Sequence, residues 1–383
     1  MSEAGVRRLE SIRAWDQYGE KDVSKIFGSH TILNSLSILY IGSDSRTSRH
    51  RALSLGRLGH KVQIVDPHSF LPSGQLMGYW IHRTGALGLG RFIRSRILEA
   101  IRSAEFDLVW VNAGDVISPD LVLDLKQQAR FVINYNGDDP YGPRDGNKWR
   151  LYLHSVPFYD LVAVVRDCNI AEAFKAGARD VLRVHRSSDE VAHASRKLSP
   201  SDQAKWGSEV AFIGTWMPER GPFLARLVER GVPLTIWGNR WSRAKEWPIL
   251  RRHWCGPGLY MNEDYAMAVQ CAKVCIGLLS KGNRDLCTQR SIEIPRLGGD
   301  LCAERTSEHL ALYAEDVEAV FWNDADECVE KCKRLLNDEI WRNQVAQKGQ
   351  LRAIQNGTRN ETVMDQIISR VFDCVDAEAL ISR

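Results

Sequence analysis

A chain of 383 residues is long for one hydrophobic core and predicts two domains. Its 44% hydrophobic and 26% charged residues have the balance of an ordinary globular protein, and a net charge of +3 argues against nucleic acid as the main partner. No apolar run approaches the roughly 20 residues that cross a bilayer, which excludes a membrane-embedded chain.

Residues 1–34 open with MSEAGVRRLESIRAWDQ, a polar, partly helical lead-in without the apolar stretch of a secretory signal, so a cytoplasmic protein is expected. Nine cysteines, an odd number at irregular spacings, predict reduced thiols. Cys328 and Cys332 fall four apart on an expected helix, but no second Cys/His pair completes a site, and no metal is predicted.

From residue 35 the chain alternates short apolar runs with helical stretches. Residues 37–42 (SILYIG) form a strand, 49–58 a helix and 61–66 (KVQIVD) the next strand. Helix 91–103 leads to strand 106–112, and helix 119–128 to strand 130–135. Strand 161–165, helix 169–175 and strand 181–185 complete the set. Near-continuous apolar strand cores separated by helices predict a parallel sheet covered on both faces.

Residues 187–207 are polar and carry Pro200, which places a linker at 191–207 between a domain at 35–190 and a second at 208–360. The rhythm then restarts: strands 209–214, 234–238, 273–279 and 300–304 alternate with helices 221–230, 262–270 and 288–297. From Glu339 onward the chain reads as helices broken at Gly349 and at Asn356-Gly357, with 361–383 as a separate C-terminal helix. The fold class predicted is α/β, two doubly wound Rossmann-like domains, with ligands beyond the carboxyl ends of the strands. Neither half carries a GxGxxG fingerprint or a Walker A loop.

Three clusters in the second domain carry chemistry. In DLCTQRSIEIPRLGGDLCAE, Asp285 and Glu293 are carboxylates able to accept from vicinal sugar hydroxyls, while Thr288 and Arg290 open a helix able to hold a diphosphate. By spacing alone the same stretch also reads as an amphipathic helix with solvated charges. In FIGTWMPER, Gly214 and Thr215 follow a strand and Arg220 enters a helix, which suits a phosphate or an ordinary loop. In the third, Gly238 and Asn239 end a strand, and Tyr260 follows a Gly-rich turn as a wall for a nucleobase.

The segments VAFIGTWMPERGPFL, LTIWGNRW and CTQRSIEIPRLGGDLCAERTSEHLALYAEDVEAVFW resemble the CgeB-like (spore-maturation-type) glycosyltransferases, with INYNGDDPYGPRDGNKWRLY and YDLVAVVRDCN similar in the first half. The resemblance implies a GT-B fold: two lobes facing across a cleft, with a C-terminal domain like that of the group 1 glycosyl transferases. It implies transfer of a sugar from a nucleoside-diphosphate sugar, with a UDP-sugar the expected donor, to an unknown acceptor on the N-terminal lobe. Glu293 is implied at the donor ribose, Asp285 near the donor sugar (an Asp where Glu is usual), and Arg220 and Arg290 at the diphosphate. No metal and no cofactor are implied, and residues 363–375 are expected to return across the cleft.

Candidates for a catalytic base are Asp138 and Asp139 in NGDDP, Asp44, Asp115 and His185, although the Asp pair also reads as a turn and cap before Pro140. Residues 82–102 begin at His82 and carry Arg83, Arg91, Arg94, Arg96 and Arg102 among Leu, Phe and Ile. They predict either a solvated surface helix or a basic amphipathic face that rests on anionic lipid at the inner membrane face or meets a lipid-linked or anionic acceptor. A nucleotide-sugar epimerase or hydrolase, and a non-catalytic glycan- or nucleotide-sugar-binding module, are the alternative functions.

Overall fold

The structure, a computed structural model, describes residues 35–102, 104–259 and 263–381. The lead-in expected at 1–34 lies outside them.

The N-terminal lobe runs β1 (Ser37–Ile41), α1 (Arg46–Arg57), β2 (Lys61–Val65), α2 (Gln75–Thr84), α3 (Gly90–Ile101), β3 (Phe106–Asn112), α4 (Pro119–Leu125), β4 (Ala129–Asn136), α5 (Arg150–Ser155), β5 (Leu161–Val164), α6 (Cys168–Lys175) and β6 (Val181–Arg183). Its six strands are all parallel, in the order β2-β1-β3-β4-β5-β6. Leu39 and Ile41 point to one face of β1, Ile38 and Tyr40 to the other, and all four are fully buried, as the near-continuous apolar pattern requires. Helix α4 begins where it does because Ser118 accepts from the Leu121 N–H at its N-terminus and Pro119 fills the first position, where no backbone donor is needed.

The C-terminal lobe follows as α7 (Pro200–Trp206), β7 (Ser208–Ile213), α8 (Arg220–Glu229), β8 (Leu234–Trp237), α9 (Trp247–Leu250), β9 (Trp254–Gly256), α10 (Glu263–Gln270), β10 (Ala272–Gly277), α11 (Gln289–Arg296), β11 (Leu301–Glu304), α12 (Ser307–Leu312), β12 (Val320–Trp322), α13 (Ala325–Asn337), α14 (Glu339–Gln355) and α15 (Asn360–Ile381). Its sheet is again six parallel strands, in the order β12-β11-β10-β7-β8-β9. The two doubly wound Rossmann-like lobes predicted from the strand-helix rhythm are therefore present. Helix α15 ends on the N-terminal lobe: Phe372 packs edge-on to Phe131 at 5.1 Å, and Arg370 pairs with Asp180 at 3.0 Å.

Four local readings change. The polar stretch taken as linker contains α7, capped by Ser199 and Asp202, and its Trp206 is buried against Trp237. The three-residue β9 adds an edge strand, too short to show a pattern. Gly349 does not break α14, which is continuous; a Cβ there would stand 2.2 Å from the Glu318 carbonyl oxygen, so the glycine serves close packing. Finally, Cys302 of β11 joins Cys328 and Cys332, and the three buried sulfur atoms lie within 4.8 Å of one another in the core. Spacing along the chain did not disclose that third thiol.

Candidate active site

The C-terminal sheet grows in one direction from β7 to β8 and in the other from β7 to β10. Such a reversal leaves a crevice beyond the carboxyl ends of the two strands, because the crossing helices lie on opposite faces. Here that crevice is a cavity of about 150 Å³, walled by Ile213 at the end of β7 and by Gly214 and Thr215 after it, by Leu278 after β10, and by Thr288 and Arg290 at the start of α11.

Arg220 closes its inner side. Nη1 donates to the Thr215 carbonyl at 2.8 Å, and Nη2 to those of Leu278 and Leu279 at 3.2 and 3.1 Å. Its Nε has no acceptor, and no carboxylate pairs with it among the described residues. Burial lowers its pKa to about 10, which expresses how poorly this cation is compensated. Gly214 makes room for it: a Cβ there would lie 2.7 Å from the Phe212 ring and 3.3 Å from Arg220 Nη1. Gly238 allows an even closer approach, since its Cβ would fall 1.8 Å from the Gly214 carbonyl. Asn239 ties the neighbouring loop by accepting from the Gly258 N–H at 3.2 Å. Tyr260 lies outside the described residues.

Arg290 stacks over the Tyr265 ring at 3.9 Å and donates to Glu293 at 2.5 Å. Glu293 is fully buried behind it and is absent from the cavity wall. Its other oxygen faces His193 Nε2 at 3.4 Å. His193 Nδ1 accepts from the Asp189 N–H at 2.9 Å, which assigns the ring proton to Nε2. Burial alone would raise the Glu293 carboxyl, but His193 and Arg290 hold it below its ordinary value. The residue expected at the ribose thus backs Arg290 in this geometry.

Asp285, expected near the donor sugar, accepts at Oδ1 from Arg166 Nε at 2.9 Å and from Arg186 Nη2 at 2.8 Å, so the carboxylate joins the two lobes. Arg284 does likewise, reaching Asp139 at 2.7 Å and Glu172 at 2.7 Å. Both Asp139 oxygens are thereby engaged: each accepts from Arg284, and Oδ1 also accepts from Asn169 at 2.9 Å.

On the N-terminal side a larger cavity of about 540 Å³ is walled by His68, Asp115, Asp138, Arg144 and Lys148, with Arg240 from the opposite lobe. His68 Nε2 lies 3.0 Å from Asp115 Oδ1. That hydrogen bond raises the imidazole, and it offsets the burial that would otherwise raise Asp115. Asp138 is half exposed, 4.0 Å from Lys148. Asp44 pairs with Arg49 at 3.3 Å, and His185 lies 2.8 Å from Arg183 Nη1; neither lines this cavity. His68, Arg144 and Lys148 were missed in the sequence. His68 stands just beyond β2, the kind of position that strand-end reasoning singles out.

Two parallel, doubly wound lobes with cavities at facing strand ends, and a last helix that returns to the first lobe, define the GT-B fold. Residues 220–369 match the family model described as glycosyl transferase-like. Among solved structures, HepE from Anabaena in complex with UDP-glucose is similar at 13% identity and a TM-score of 0.60, covering 88% of this chain and 100% of that one. Sucrose-phosphate synthase from Thermosynechococcus elongatus is similar at 10% identity, TM-score 0.65, with the same coverage of 88% and 100%. A glycosyltransferase from Rickettsia africae is similar at 13% identity, TM-score 0.61, covering 89% and 99%. No curated protein sequence matches the chain.

Proposed function

We propose that this protein is a CgeB-like glycosyltransferase that moves a hexosyl group from a nucleoside-diphosphate sugar, a UDP-sugar in the first instance, to an acceptor hydroxyl. The observation that carries the reading is Arg220. It is a buried guanidinium on a cavity wall, satisfied only by carbonyl groups and with one donor unused. A diphosphate placed between it, Arg290 and the N–H groups that open α11 supplies the missing negative charge. As the bond to the sugar breaks, charge grows on that diphosphate, and the same groups stabilise it without a metal. The complex of HepE with UDP-glucose, a protein of the same fold, supports the choice of donor. Across the cleft, His68 with Asp115 behind it is the group best placed to take the acceptor proton.

A thermal-shift series with UDP, GDP, dTDP, CDP and ADP, each in EDTA, tests this, because a ligand bound only by the folded state raises Tm. UDP should raise it. Arg220→Met should weaken UDP binding by tenfold or more, about 1.4 kcal/mol or above. Silence toward all five nucleotides overturns the donor-site assignment, and a response that EDTA removes overturns the metal-free reading. Release of UDP from the donor with no acceptor present points instead to an epimerase or hydrolase.

A further inference from the structure

Helix α2 has two faces with different company. Met77, Gly78, Ile81 and His82 line the 540 Å³ cavity. On the opposite stripe Leu76, Tyr79 and Trp80 are 86%, 67% and 46% exposed, and Arg83 continues that stripe one turn on. Trp80 Nε1 donates to the Leu87 carbonyl at 3.1 Å, which fixes the aromatic ring beside a second exposed leucine, and Phe92 is exposed at the start of α3. Five of the 15 large apolar side chains exposed among the described residues therefore fall between positions 76 and 92.

Charge gives this surface its partner. Residues 67–104 contain five arginines and a single acid, Glu99. Arg94 and Arg96 are engaged by Asp124 and Glu99, whereas Arg83 and Arg91 are exposed with no ion pair among the described residues. Aromatic and aliphatic side chains interleaved with unpaired arginines suit the headgroup layer of an anionic bilayer, where rings sit at the interface and guanidinium groups meet phosphate. The structure also corrects where that face lies. Ile93, Ile97 and Ile101, the apolar stripe of α3, are buried in the core, so the apolar contribution comes from α2 and the loop after it.

We propose that the outer face of α2, with Leu87 and Phe92, seats the N-terminal lobe on an anionic membrane surface, so that the neighbouring cavity receives an acceptor hydroxyl carried on a lipid. The docking stands on the surface alone; the lipid-borne acceptor rests on the transferase reading. No helix of the described residues is long and apolar enough to cross a membrane.

The full chain is floated with vesicles of phosphatidylcholine alone and of phosphatidylcholine with phosphatidylglycerol. Binding is expected only to the second and should weaken as salt rises. The pair Leu76→Ser/Trp80→Ser and the pair Arg83→Glu/Arg91→Glu should each lower vesicle affinity about tenfold or more. Both pairs should keep the wild-type melting curve and the UDP-induced shift, since the changed residues are exposed and outside the donor cavity. Absence of binding to anionic vesicles, or binding that neither pair weakens, overturns the proposal. So does a dimer in light scattering that Trp80→Ser dissolves, which would make a second copy the occupant. A wild type that binds vesicles yet ignores every nucleotide sinks the transferase reading and leaves the docking intact.

Discussion

The proposed function rests on one side chain, that of Arg220. A guanidinium removed from water without a carboxylate costs stability unless something else compensates it, and chains keep such groups where a ligand provides the charge. The sequence pointed to it through the Gly-Thr turn after a strand and the Arg that enters the next helix. His68 could not be found the same way, because its partner is 47 residues away and the pairing depends on β2 and β3 flanking β1 in the sheet. Its role has a pH signature. The hydrogen bond that His68 donates to Asp115 raises the imidazole above its ordinary value of 6.5, and a base works only when unprotonated. Transfer should therefore switch on as pH rises through a value above 6.5. In Asp115→Asn the imidazole loses its charged partner, and the midpoint should move to lower pH. An identical pH–rate profile in His68→Gln and wild type would remove His68 from the chemistry.

Elements were readable where the hydrophobic period was long and misread where a residue had a tertiary purpose. The strands β1, β3, β7 and β10 announce themselves as apolar runs ending in small residues. β9 has three residues and α7 begins in a polar stretch, so neither shows a period, and tertiary contacts such as Trp206 against Trp237 reveal that α7 belongs to the C-terminal lobe. Gly349 is the sharper case. In a helix of 17 residues a glycine weakens the local preference by about 1 kcal/mol relative to alanine, which suggests a break. The structure shows what outweighs that cost: the helix backbone approaches the Glu318 carbonyl more closely than any side chain permits. Gly349→Ala should therefore lose about 1–3 kcal/mol in urea unfolding in spite of its better helix propensity, because the backbone contact must open. An unchanged or higher midpoint would show that the contact relaxes freely.

At the scale of the whole molecule the fold was visible in the sequence and the cleft chemistry was not. Alternation of strands and helices predicted two lobes; it says nothing of ion pairs between residues 119 positions apart, such as Arg166 with Asp285. These pairs tie the acidic residue of the expected donor block to the N-terminal lobe. Arg166 and Asp285 are each about 5% exposed, and Arg186, Arg284, Asp139 and Glu172 surround them with further cross-lobe pairs. Buried charges of this kind hold one arrangement of the lobes because parting them strands each charge in a low-dielectric junction. Asp285→Asn keeps the shape of the side chain and leaves two buried arginines without their shared carboxylate. Stability should fall by roughly 3–5 kcal/mol, and X-ray scattering should show a larger radius of gyration as the lobes separate. Nucleotide binding within the C-terminal lobe should survive, since Arg220 and Arg290 do not depend on Asp285 for their contacts. Turnover should fall with the loss of closure, because acceptor and donor then sit on lobes no longer held face to face. A variant with unchanged scattering and less than about 1 kcal/mol of lost stability would mean that the junction is held by packing, with the ion pairs as passengers.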